Sequence, residues 1–161
     1  MAVGKTLPEQ EILQLYSNEK ICFYKEKLLW KLRRNNIPSS ENMIFETFDA
    51  SVKQNLLKHT NTPPVIVFWG GEDLWTFISG QEVVSSYDGR VCRICLDDIN
   101  KKVKVPSSVN SKDGSKFHFN YVFLGDSEVK VWAPEGNIIF ALMNILQMFP
   151  LKKMISVRKV G

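Results

Sequence analysis

Cys92-Arg93-Ile94-Cys95 is the first group whose residue types and spacing suggest chemistry. Two cysteines three apart can hold zinc or exchange a disulfide. Redox pairs of this spacing stand at a helix N-terminus, where the dipole stabilises the thiolate. Structural zinc needs four ligands, and the sequence has no second pair. The run around Cys92 and Cys95 reads as a strand, in which residues three apart point to opposite faces. Packed strand cysteines are therefore expected, with no metal and no cofactor.

His59 and His118 are the only histidines. His118 alternates with Phe117 and Phe119 on an expected strand, and Tyr121 follows on the same run. Asp97-Asp98 stands near another strand end. Adjacent strand residues point apart, so this pair does not form a carboxylate dyad without a bulge. If the fold encloses a pocket, Asp97, His118 and Tyr121 are the polar groups expected to line it. Gly4-Lys5-Thr6 resembles the end of a phosphate loop but lacks the leading glycine and the preceding buried strand.

These residues sit in a chain of 161, which is 44% hydrophobic and 24% charged. That composition excludes a disordered or low-complexity chain. The net charge is +4, shared evenly: residues 1–62 carry nine basic and seven acidic side chains, the remainder twelve and ten. A dedicated nucleic-acid-binding domain carries a denser basic stripe, so nucleic acid is not the expected partner. The densest basic run, Lys25, Lys27, Lys31, Arg33 and Arg34, falls toward a helix C-terminus, where cations complement the dipole. Three scattered cysteines favour a reducing compartment. The opening MAVGKTLPEQ has no apolar run of signal-peptide type. IIFALMNILQMF falls short of the roughly twenty residues of a membrane span. A cytoplasmic protein without a transmembrane segment is expected.

The elements that must position these residues follow from periodicity. A first helix is expected from Pro8, and a second from about Glu19 to Arg34 with Ile21, Tyr24, Leu28 and Leu32 on one face. Met43–Phe48 is ambiguous. Asp49 caps a helix over Ala50–His59, with Val52, Leu56 and Leu57 inward. Pro63-Pro64 ends the helical region. An N-terminal helical region, residues 1–62, is thus expected to pack on a β-rich region, residues 63–161. Seven strands follow: Val65–Trp69, Leu74–Ser79, Glu82–Tyr87, Arg90–Ile99, Lys101–Val105, Phe117–Leu124 and Glu128–Ala133. Turns are marked by Gly70-Gly71-Glu72-Asp73, Asp88-Gly89 and Gly125-Asp126. A final helix covers Asn137–Phe149, with Ile138, Leu142, Ile145 and Phe149 inward. Its only polar residues are Asn137, Asn144 and Gln147, so it should be covered on two sides.

Seven antiparallel strands followed by a helix resemble the pleckstrin-homology-like fold, over residues 65–149. The stretch DLWTFISGQEVVSSYDGRVCRICLDDI is similar to bacterial members of that superfamily. The resemblance implies an α+β fold in which a seven-stranded antiparallel sheet or barrel is closed by the C-terminal helix. It also implies a binding scaffold rather than an enzyme. Phosphoinositide-binding members carry Lys and Arg in and beside the first hairpin, whereas the matching turn here holds Glu72 and Asp73. Those carboxylates repel phosphate, so phosphoinositide binding is not expected.

The expected function is a non-enzymatic interaction module that binds protein or peptide, or associates with itself through the C-terminal helix. Phe140, Met143 and Met148, on the flank of that helix, are the candidate contact residues. The alternative is a small-molecule-binding domain or enzyme, with helices against a curved sheet as in nuclear-transport-factor-like folds. Asp97, His118 and Tyr121 would then face the ligand.

Overall fold

The computed structural model describes residues 16–37, 40–106 and 119–151. The helix expected from Pro8, together with Phe117 and His118, lies outside the described residues. Helix α1 spans Asn18–Arg34. Ser17 caps it by accepting from the Lys20 amide at 3.1 Å. Tyr24, Leu28 and Leu32 are buried on its inner face as expected, and Ile21 is half-buried. The ambiguous stretch after it forms two 3-10 turns, Ser40–Met43 and Phe45–Thr47. Asp49 caps α2, Ala50–Leu57, through the Val52 amide at 3.0 Å. Leu57, expected inward, is exposed. The helix is only eight residues long, and Leu56 takes its single fully buried position.

The strands are β1 Pro64–Gly71, β2 Leu74–Ser79, β3 Glu82–Tyr87, β4 Arg90–Cys95, β5 Val103–Lys104, β6 Tyr121–Leu124 and β7 Val129–Trp132. All pairings are antiparallel. They form two sheets, β1-β2-β3-β4 and β5-β6-β7, not one closed barrel. The break has a local cause. The strand expected to run to Ile99 stops at Cys95, where Leu96–Asp98 becomes a 3-10 turn. Asn100 and Lys101 follow with φ of 53° and 59°, a left-handed pair that redirects the chain. Helix α3, Asn137–Leu146, follows the second sheet. The α+β class, the seven strands and the C-terminal helix agree with the sequence.

The first sheet has cores on both faces. Ile66, Phe68, Ile78, Val83 and Ile94 face the larger core. There they meet Tyr24, Leu28 and Leu32 of α1, Val122, Leu124 and Val131 of the second sheet, and Ile139, Leu142, Ile145 and Leu146 of α3. Helix α3 packs on α1 and shares the larger core with both sheets, and Asn144 donates to Asn35 at 3.1 Å. The opposite face carries Val67, Trp75, Phe77 and Val84, which among the described residues pack with Phe45, Leu56 and their neighbours.

Strand β7 lies against β2, β3 and β4. A buried ring of three hydrogen bonds fixes it there. The Trp132 amide donates to Ser85 Oγ at 3.0 Å, and Thr76 Oγ1 donates to the Trp132 carbonyl at 2.5 Å. Thr76 has one hydroxyl proton, so Ser85 supplies the proton of the 2.7 Å bond between the two hydroxyls. Gly80, at the β2–β3 turn, lies directly against Ile21 of α1. A Cβ there would stand 2.4 Å from the Ile21 carbonyl oxygen, so only glycine admits the helix at this distance.

Candidate functional site

The strand register decides what the first sheet shows on each face. Arg93 pairs with Val84, and Glu82 pairs with Cys95. Glu82 and Arg93 are therefore diagonal neighbours on the face of the smaller core. Glu82 has a side chain only 3% exposed. Arg93 Nη1 donates to its two oxygens at 3.3 and 3.2 Å, and Thr60 Oγ1 donates at 3.3 Å. Arg93 Nη2 reaches on to the His59 carbonyl at 2.8 Å. One guanidinium thus ties the segment after α2 to the sheet.

These residues line a cavity of about 460 Å³, with Lys58, Asn61, Thr62 and Gln81 completing the polar wall. Burial holds the Glu82 carboxyl above the usual carboxylate range, against the attraction of Arg93. The His59 ring lies 4.8 Å from the Trp75 ring. Burial, followed by the charges of Arg93 and Lys58, pushes its imidazole down, so it stands neutral near pH 7. The cavity offers a buried carboxylate, a half-exposed guanidinium and a neutral imidazole. That set suits the binding of a polar small molecule.

Asp97 lies elsewhere. Its side chain accepts from Lys20 and, at 2.5 Å, from Tyr24 Oη, while its amide donates to Tyr16 Oη at 2.9 Å. Tyr24 Oη also accepts from the Leu151 amide at 3.3 Å. Burial raises both tyrosines well above the ordinary phenol range, so they remain protonated donors. This cluster clamps α1 to the end of the first sheet. Tyr121 belongs to a third group. Its ring lies 5.9 Å from Tyr87 and 5.6 Å from Phe123, and Lys130 Nζ sits 4.3 Å from its centroid. Asp97 and Tyr121 thus serve different clusters, and His118 is outside the described residues.

Cys92 and Cys95 are free and sit on opposite faces of β4. Burial and the nearby carboxylates push the Cys95 thiol up to about 11, the reverse of an activated thiolate. Among the described residues, no group of three or more His, Cys, Asp or Glu side chains is placed to hold a metal.

On α3, Ile139, Ala141, Leu142, Ile145 and Leu146 are buried. Phe140 is 43% exposed, and Met143 and Met148 are half-buried against the larger core. The His59–Glu82–Arg93 grouping was not visible in sequence. Its one signal is the two-residue Asp88-Gly89 turn, which sets Glu82 and Arg93 diagonally on one face, while nothing in the sequence brings His59 to them. Comparison of the chain with protein-family models, with curated proteins and with solved structures finds no match in any of the three.

Proposed function

We propose that the chain is a non-enzymatic interaction module of the pleckstrin-homology-like type, which binds protein or peptide, a second copy of itself included, through the outer flank of α3. The observation that carries this reading is the exposure of Phe140, at 43%, on a helix whose neighbouring apolar side chains are buried. Covering the exposed part of that ring is worth about 2 kcal/mol, which an approaching surface would recover. Met143, one turn along, adds an adaptable apolar edge. Antiparallel sheets of four and three strands followed by a helix suit such a scaffold. The β1–β2 turn keeps its exposed Glu72 and Asp73, which argue against an inositol phosphate there. Three free cysteines suit a reducing compartment such as the cytoplasm. No helix among the described residues is long and apolar enough to cross a membrane.

The test is light scattering after size exclusion on the wild type and on Phe140→Asp. An oligomer that becomes monomeric in the variant supports the reading. An oligomer of unchanged mass removes α3 as the contact.

A second reading has its own observation, the buried Glu82 carboxylate on the wall of the 460 Å³ cavity. It makes the chain a small-molecule-binding domain. Native mass spectrometry would then show an adduct on the wild type that Glu82→Gln and Arg93→Ala both lose.

A further inference from the structure

One side of α1 is committed to the core through Tyr24, Leu28 and Leu32. Beside it, Phe23, half-buried against the core, and then Lys27, Trp30 and Arg34 follow one another at spacings of four, three and four, which aligns them along a single stripe leading out to solvent. Aromatic and cationic groups alternate on this stripe. Lys27 Nζ stands 5.6 Å from the Phe23 ring and 5.5 Å from the Trp30 ring. Lys31 Nζ and the Arg34 guanidinium carbon lie 6.0 and 5.0 Å from Trp30. Trp30 is 49% exposed, the most exposed large apolar side chain among the described residues. A depression of about 630 Å³ opens beside it, lined by Glu26, Leu29, Trp30, Arg33, Arg34 and Asn36.

Helix capping accounts for some of this pattern. Lys31, Arg33 and Arg34 in the last turn complement the negative end of the dipole. It does not account for Trp30, which leaves a large apolar surface in water between three cations. The wall of the depression already holds one carboxylate. Arg33 Nε and Nη2 grip Glu41 of the following turn at 2.8 and 3.2 Å. Among the described residues, no carboxylate pairs with Lys27, Lys31 or Arg34.

We infer that this face of α1 is a docking surface for an acidic peptide segment, whose carboxylates pair with Lys27, Lys31 and Arg34 while an apolar side chain enters the depression over Leu29 and Trp30. The inference rests on the interaction-module reading and names the chemistry of a partner. Lys27 and Arg34 are about 10 Å apart along the helix axis. Carboxylates four residues apart in an extended peptide, at roughly 3.3 Å per residue, lie about 13 Å apart on one face, within reach of these two long side chains, with an apolar side chain midway between them on the same face. A peptide fits better than the other polyanions. Glu26 on the wall and Glu41 on Arg33 would meet the unbroken phosphate charge of a nucleic acid. Peptide amides can instead donate to Glu26. A flat bilayer would touch the ridge and leave the depression unfilled.

The test uses the full chain and fluorescence anisotropy at low and moderate salt. The probe is a labelled peptide of about a dozen residues with the repeat Glu-Glu-Leu-Leu, which places both residue types on each face of an extended chain, beside the same peptide with Gln for Glu. Oligo-dT of equal length and vesicles of phosphatidylcholine with phosphatidylserine are the other arms. The Glu peptide should bind, weaken as salt rises, and lose about tenfold or more in affinity in Lys27→Glu/Arg34→Glu and in Trp30→Ala. These positions are at the surface, and circular dichroism checks that the variants are folded. Equal binding of the Gln peptide, tighter binding of oligo-dT or vesicles, or unchanged affinity in the variants would overturn the inference. If the Glu peptide fails to bind while self-association still depends on Phe140, the α1 surface falls and the interaction module stands. If both fail, both fall.

Discussion

The two faces of the β1–β4 sheet are built differently. One is covered by α1, α3 and the second sheet, and its residues are almost all apolar and fully buried. The other, among the described residues, is covered by a short helix and the Phe45–Thr47 turn, and at its edge it carries Glu82, Arg93 and His59. The thick face has no room to move because three elements lock it from different directions. The thin face rests on eight helical residues and one guanidinium. A sheet with one locked face can present polar, adaptable groups on the other without losing its shape. The thin face is therefore where a ligand cavity can exist.

The sharpest way to break this comparison is to remove the same volume from each side. Leu142→Ala, in α3 on the thick side, should cost about 3–5 kcal/mol, because the surrounding elements cannot collapse into the gap. Leu56→Ala, in α2 on the thin side, should cost nearer about 2 kcal/mol, since a short helix can settle inward. Both side chains are fully buried, so burial alone predicts equal losses. Urea denaturation reads the difference. Equal costs would mean that the thin layer is as rigid as the thick one.

The hydroxyl ring at Thr76, Ser85 and Trp132 is the polar exception in this otherwise apolar packing. Ser85→Ala leaves the buried Trp132 amide without its acceptor and should cost about 1–3 kcal/mol. If the ring acts as a unit, adding Thr76→Val to Ser85→Ala should cost less than the two separate losses combined. A fully additive double-mutant cycle would show that each bond acts alone.

Much of the thick face was legible in the sequence, and almost none of the thin edge. Tyr24, Leu28 and Leu32 are at helical spacing, and strands β2 and β3 stop where their turns require. Asp88 and Gly89, with φ of 55° and 76°, take the left-handed pair that an Asp-Gly hairpin calls for. Periodicity fails where residues meet through register. Glu82 and Arg93 are eleven apart and converge because β3 and β4 pair with Glu82 opposite Cys95. The two-residue Asp88-Gly89 turn sets that register by placing Tyr87 opposite Arg90, but it does not say that the segment after α2 will meet the pair. Asp97, read as a strand-end carboxylate, meets Lys20 and Tyr24 from a helix more than seventy residues earlier. The split into two sheets turns on left-handed Asn100 and Lys101, and lysine carries no such signal. The basic run from Lys25 to Arg34 was legible as a helix C-terminus, but the exposure of Trp30 among its cations was not.

The smallest expected effect, and the one most specific to the thin face, is the pH dependence of Glu82. Its folded-state carboxyl is raised above the unfolded value, chiefly by burial. The native state therefore holds this proton more tightly than the unfolded chain. That contribution to stability is fully present below the unfolded value of about 4.3, and is lost as pH rises through the folded value. Glu82→Gln keeps the shape and the contact to Thr60 but cannot ionise. At low pH it should match the wild type closely, because a protonated Glu82 is nearly its isostere. As pH rises toward 7 it should gain on the wild type, in which a buried carboxylate must now form. The ion pair with Arg93 opposes that gain, since only the carboxylate attracts the guanidinium. Urea melts of both proteins at a series of pH values separate the two effects. A variant that gains with pH means that burial outweighs the pair. A variant that loses with pH means that the Arg93 strap dominates, and the thin face is then held together by charge.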